Sequence, residues 1–155
     1  MSSTKNITVN HSLGYRLKQT QHALRIHMDE ALRALNLTTP QYAVLAQLQL
    51  RPGISNAALA RAAFITAQSM HGIVSNLEKR QLVQRSKNPQ HGRILCTELT
   101  TEGHNVIQQC HQLIRDVEDQ MTVTLTKEKK DALVAILNEC FNNLNSNYAA
   151  ASFSW

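Results

Sequence analysis

Turn formers are scarce in this chain, with five glycines and three prolines among 155 residues. With apolar residues at 43%, that excludes both a collagen-like repeat and a low-complexity chain. Cysteine is scarce too. Cys96, Cys110 and Cys140 are odd in number and widely spaced, which argues against a disulfide framework. No apolar run approaches the ~18–20 residues needed to span a membrane, and MSSTKNITVNHS lacks the apolar core of a signal peptide. The sequence therefore reads as cytoplasmic, with no membrane as partner.

Catalytic patterns are missing as well. There is no glycine-rich phosphate loop, G-x-S-x-G elbow or H-E-x-x-H pair, so no enzyme is expected. His104, Cys110 and His111 share one predicted helix, yet none of them are spaced four apart as a helical metal pair requires. No metal and no resident cofactor are expected.

Negative charge is nearly absent from one stretch. Residues 51–97 hold Arg51, Arg61, Lys79, Arg80, Arg85, Lys87 and Arg93 against Glu78 alone, whereas residues 98–155 are acidic on balance. Within a formal net charge of +5, this asymmetry implies one surface facing a polyanion.

The length fits one domain, or one domain with appended helices. Leu13, Leu17, Leu24, Met28, Ala31 and Leu35 predict a long helix over residues 13–35. Thr39 as cap with Pro40 as first helical residue opens a second helix through Leu50, which Pro52-Gly53 ends. Ser55 caps a short helix to about Ala63, and Thr66 caps another to about Gln81. Residues 82–86 and 93–99 read as strands around the turn-rich loop 87–92. Thr100 caps a long helix with apolar positions Val106, Cys110, Leu113, Val117 and Met121. Thr126 opens a last one with Leu133, Ile136, Leu137, Cys140, Leu144 and Tyr148. The tail AAASFSW shows no pattern.

On the helix from Thr66, Met70, Ile73, Val74 and Leu77 share a side that can bury. Gln68, Gly72, Ser75 and Lys79 lie opposite, flanked by Ser69, His71 and Asn76. That polar, mostly small face can approach a major groove, where Gln, Ser and Asn hydrogen-bond base edges. Ser55 and Thr66, at helix starts, can hold phosphates. Arg85, Lys87, His91 and Arg93 surround a hairpin tip suited to the minor groove or backbone. A basic hairpin one helix away from a polar helix face is a winged helix-turn-helix pattern that binds double-stranded DNA. The predicted fold is mainly α with a small β-hairpin, built around a winged helix-turn-helix DNA-binding lobe.

The stretches LTTPQYAVLAQL, PGISNAALARAAF, TAQSMHGIVSNLEKRQLVQR and NPQHGRILCTELTTEG resemble the multiple-antibiotic-resistance regulator (MarR) family of bacterial transcription factors. The most specific piece is LEKRQLVQR followed by HGR and LTTEG. Two departures stand out. The family usually has glycine where Gln81 stands, so the helix is expected to end less sharply, and many members carry an acid where this chain has Gln90-His91-Gly92.

The resemblance implies a ligand-responsive repressor that binds an inverted-repeat operator as an obligate homodimer. It divides the chain into an N-terminal dimerisation helix (1–36), the DNA-binding lobe (37–100), C-terminal dimerisation helices (101–148) and a tail (149–155). Long terminal helices with more apolar positions than one small lobe would bury agree with a dimer. The resemblance also implies a small aromatic or phenolic effector in the crevice between the lobes, near His11, Tyr15, Arg16 and Tyr42. Two alternatives stay open: a winged helix that contacts an acidic protein partner, and a regulator switched by thiol oxidation. Redox-sensing relatives use a cysteine in the first helix, where this chain has none, which leaves Cys96 as the thiol nearest DNA.

Overall fold

The computed structural model describes residues 12–87, 92 and 95–151. The expected site residues His11, His91 and Arg93 lie outside that range, as does the end of the tail. The described chain forms α1 (Leu13–Leu32), α2 (Thr39–Leu50), β1 (Ile54–Ser55), α3 (Asn56–Ala62), α4 (Ala67–Lys79), β2 (Val83–Lys87), β3 (Leu95–Leu99), α5 (Thr101–Met121) and α6 (Lys127–Ala151). Two compact units divide between Glu118 and Asp119, inside α5.

Three helix ends in the first unit close by one device, without glycine. After α4, the Gln81 N–H donates to the Glu78 carbonyl at 2.9 Å and the Leu82 N–H to the Leu77 carbonyl at 3.0 Å. Gln81 itself is left-handed, with φ 59°. This is a Schellman closure with glutamine where glycine is usual. The less sharp ending expected from Gln81 is therefore not found, because the closing bonds are made by backbone. Asn36 (φ 53°) after the 3-10 turn Arg33–Leu35 and Phe64 (φ 55°) after α3 do the same, with Leu37 N–H to Leu32 at 3.1 Å and Ile65 N–H to Ala60 at 2.9 Å.

Two helix starts differ from expectation. The cap of α2 is Thr38, in a reciprocal capping box with Gln41, and Pro40 follows within the first turn. Thr39 is instead bound from outside its helix: its N–H and hydroxyl both donate to the Asp29 carboxylate at 2.7 Å. Burial pulls the Asp29 pKa up, but these bonds and Arg25 outweigh it and hold the group below its ordinary value. The predicted helix over residues 13–35 keeps α-form only to Leu32 before the 3-10 turn.

The sheet is three-stranded and antiparallel in the order β1-β3-β2, so the expected hairpin gains a third strand. β1, only two residues long, pairs Ile54 with Thr97 and Ser55 with Cys96. Along the hairpin, Val83 faces Leu99, Arg85 faces Thr97 and Lys87 faces Leu95. Alternation places Val83, Arg85, Thr97 and Leu99 on one face of the sheet.

The core gathers Leu32, Val44, Leu45, Leu48, Leu59, Met70, Val74, Leu77 and Val83 with Ile107, Cys110 and Ile114. The buried stripe of α5 is thus Gly103, Ile107, Cys110 and Ile114. The expected stripe through Val106, Leu113, Val117 and Met121 lies one position off; Met121 is exposed and the other three are half-buried. The two hydrophobic rows run side by side on α5, and the motif positions around Cys110 fit either.

In the second unit, Thr126 accepts from the Lys129 N–H at 3.4 Å and starts α6. No residue from 127 to 145 is buried. Leu133, Val134, Ile136, Leu137, Phe141 and Leu144 are all exposed, Val134 at 60% and Leu144 at 70%.

Candidate nucleic-acid interface

Helix α4 is amphipathic in the expected sense. Met70, Val74 and Leu77 are fully buried and Ile73 packs against them, while Gln68, Ser69, His71, Gly72, Asn76 and Lys79 are exposed and Ser75 is half-buried. Thr66 caps the helix, accepting from the Ser69 N–H at 3.2 Å and donating to its hydroxyl at 3.0 Å. Ser55 caps α3 through the Ala58 N–H at 3.3 Å. Both cap hydroxyls are engaged within their own helices, so their first structural task is to close helix starts.

The basic residues divide into two groups. Arg85 is ion-paired with Glu78, and its side chain is only 23% exposed. Its hydrogen bond holds the Glu78 carboxyl below the ordinary glutamate range, and the Arg85 guanidinium rises in turn. The register explains this: Arg85 lies on the face of β2 that also carries Val83, toward α4, and not on the open side of the hairpin. Arg85, expected among the DNA contacts of the wing, is thus engaged by Glu78 within the lobe. Arg80 donates to the Leu35 and Asn36 carbonyls at 3.0 and 2.8 Å. Arg51, Arg61, Lys79 and Lys87 form no ion pair among the described residues. The one acid of the stretch is thus neutralised, and cations remain on α2's end, α3, α4 and the hairpin. Arg51 ends α2 and Arg61 lies exposed on α3, places that charge alone does not reveal.

Of the residues expected around an effector, Tyr42 and Arg16 each have a partner among the described residues. The Tyr42 hydroxyl meets His111 Nδ1 at 3.2 Å, and His111 Nε2 meets Gln49 Oε1 at 2.7 Å. An amide oxygen only accepts, so His111 donates from Nε2 to Gln49. Tyr42 is half-buried, and chiefly that burial pushes its pKa up. Arg16 donates to Gln19 at 3.0 Å, and Tyr15 stays partly exposed. A cleft of about 250 Å³ lies elsewhere, lined by Gln21 and Arg25 of α1, Thr39, Pro40 and Ala43 of α2, and Ala63, Phe64 and Ile65 of the turn into α4. At helical spacing Arg16 sits on the far side of α1 from Arg25.

Two of the three thiols are shielded, and Cys140 is half-buried. Cys96 and Cys110 are buried, and burial pushes the Cys110 thiol up to about 11, leaving it protonated at neutral pH. Among the described residues no group of three or more His, Cys, Asp or Glu side chains could hold a metal, and no helix is long and apolar enough to cross a membrane.

A helix pair beneath a three-stranded sheet, with α4 presenting an acid-free face, defines a winged helix-turn-helix regulator. The MarR family model matches residues 35–94. The HTH-type transcriptional repressor Rv2887 of Mycobacterium tuberculosis is 33% identical over 114 residues, covering 74% of this chain and 82% of the relative. Its structure with salicylic acid superimposes with a TM-score of 0.71 at 30% identity, over 83% of this chain and 96% of that one. The repressor CouR, bound to a 23-mer DNA duplex, gives 0.80 at 26% identity over 90% of this chain and 99% of that one. The chain belongs to the MarR family of transcriptional regulators.

Proposed function

We propose that this protein, as a symmetric dimer, reads an inverted-repeat DNA site with α4 and represses the gene beside it. The observation that carries the reading is the outward face of α4, whose Gln68, Ser69, His71, Gly72 and Ser75 lie exposed or half-exposed, with Glu78, the one acid in the sequence from 51 to 97, held by Arg85. Lys79, Lys87 and the expected wing residues His91 and Arg93 supply phosphate or minor-groove contacts around that face, and Ser55, Thr66 and Asn76 flank it. Residues 37–100 form the DNA-binding lobe, and residues 1–36 and 101–148 the dimerisation helices. The first half of α5 also packs in the core of the lobe. A two-fold dimer sets its reading helices about one DNA turn, roughly 10 bp, apart. Regulation by binding alone involves no catalytic step, and its place is the bacterial cytoplasm.

A small aromatic acid is the effector this reading favours. The Rv2887 structure holds salicylic acid, and the cleft beside α4 offers the Phe64 ring, apolar Ala43 and Ile65, and the Arg25 guanidinium. Occupancy there would favour a spacing of the two α4 helices that no longer fits DNA. Such a population shift needs only a few kcal/mol of differential affinity.

The test starts by selecting bound fragments of bacterial genomic DNA with the full chain, then titrates the selected duplex at several salt concentrations. Lys87→Ala is expected to lower the slope of log affinity against log salt by about 0.9, as one lost phosphate contact should. Arg85→Ala, losing an internal ion pair, is expected to leave that slope unchanged. An unchanged slope for Lys87→Ala would remove the hairpin from the interface and favour a protein partner there.

A further inference from the structure

A helix that reads bases must be held at one tilt and register, and apolar packing alone sets these weakly because it is not directional. The buried side of α4 offers Met70, Val74 and Leu77, with Ile73 packed beside them. Besides the Glu78–Arg85 pair to β2, two directional ties act at its C-terminal end. Gln41 of α2 donates from Nε2 to Asn76 Oδ1 at 2.9 Å. Arg80 then spreads its guanidinium over the Leu35 and Asn36 carbonyls at 3.0 and 2.8 Å, a charge-assisted fork at the end of the 3-10 turn. Both ties reach the same short corner between α1 and α2.

That corner is itself stiff. Gln41 cannot rotate freely, since its Oε1 accepts from the Thr38 N–H at 2.9 Å in the capping box. Asp29 of α1 holds both donors of Thr39. Asn36 is fixed in its left-handed turn by the Leu37 N–H bond back to Leu32. An asparagine that reads adenine uses its amide oxygen and nitrogen together, and the oxygen of Asn76 is already engaged.

We propose that Asn76 and Arg80 are positioning residues: with Gln41 they lock α4 onto the α1–α2 corner and do not themselves touch DNA. The lock rests on the reading of α4 as the DNA-reading helix. It reassigns two residues of the basic stretch, one from base reading and one from general attraction to a polyanion.

The test uses the full-length protein, its selected duplex and the set of single-base variants of that duplex. Gln41→Ala and Asn76→Ala are each expected to weaken binding about 3–5-fold, as loss of one hydrogen bond does. The double variant should be no weaker than either single one, because both remove the same bond. The loss should be spread evenly over base positions. Arg80→Ala is expected to weaken binding about tenfold with an unchanged salt slope, and Arg80→Lys to recover part of it. Asn76 is exposed and Gln41 only half-buried, so their variants report even where Arg80→Ala fails to fold. Loss of preference at one base position in Asn76→Ala but not in Gln41→Ala would overturn the lock, as would a salt slope lowered by about 0.9 in Arg80→Ala. A wild-type protein that prefers no fragment over a shuffled one overturns the role of α4, and the lock falls with it.

Discussion

Gly103→Ala is expected to cost about 3 kcal/mol or more of stability, mostly because the space for a methyl group is taken by backbone. Gly103 is buried in the first turn of α5, and a Cβ there would fall far inside van der Waals contact of the Leu82 carbonyl oxygen and 3.4 Å from the Leu99 Cβ. The carbonyl cannot move away cheaply. It accepts the Thr100 N–H at 3.1 Å, and the Thr100 hydroxyl donates to the neighbouring Gln81 carbonyl at 2.6 Å. The same hydroxyl accepts the Gly103 N–H at 3.0 Å, so one threonine binds the start of α5 to the end of α4. Urea unfolding at fixed protomer concentration checks this, and an unchanged midpoint would mean that α5 does not seat on this corner.

The second large effect concerns assembly. Leu133, Leu137, Phe141 and Leu144 recur at helical spacing on α6 and are all exposed in the single chain. Leu137→Asp combined with Phe141→Asp places two carboxylates where a second copy would otherwise bury apolar surface, and burying an unpaired charge is prohibitive. The expected result is a change from dimer to monomer in light scattering at micromolar concentration, with circular dichroism of the first unit retained. Affinity for the inverted repeat should fall about 100-fold or more, since each half-site is then bound alone. A variant that remains dimeric would place the contact between copies elsewhere than α6.

Much of the architecture is legible in the sequence, for identifiable reasons. Ser55 and Thr66 announce helix starts because their hydroxyls have few other uses before an apolar periodic run. The stripe of Met70, Val74 and Leu77 is unambiguous since the opposite face is uniformly polar. Strand β1 is not legible, because two residues cannot display alternation. Gln81 misleads for a different reason: glycine is the usual residue at a left-handed closure, but backbone bonds carry the motif and tolerate glutamine at some strain.

The site follows the same division. Charge is visible in a sequence, whereas the group that answers it depends on tertiary register. Arg80 and Arg85 look like their neighbours in the basic run, yet one grips carbonyls at Leu35 and Asn36 and the other pairs with Glu78. The bond from Tyr42 to His111 joins elements that no local pattern pairs, and Arg25 and Phe64, which line the cleft, carry no local pattern either. Phe64 in particular owes its place to a left-handed turn that its residue type disfavours.

The outward face of α4 is tested most directly at Gly72, which is exposed and has nothing within 4 Å of the position a Cβ would take. Gly72→Glu therefore leaves the packing of α4 untouched and adds a negative side chain where a phosphate-lined groove should lie. Anisotropy titration of the full-length dimer on its selected duplex is expected to show a loss of about 100-fold or more, with the unfolding midpoint retained or raised. Binding within a factor of about two of wild type, by a variant shown to be folded and dimeric, would contradict the assignment of DNA reading to this face.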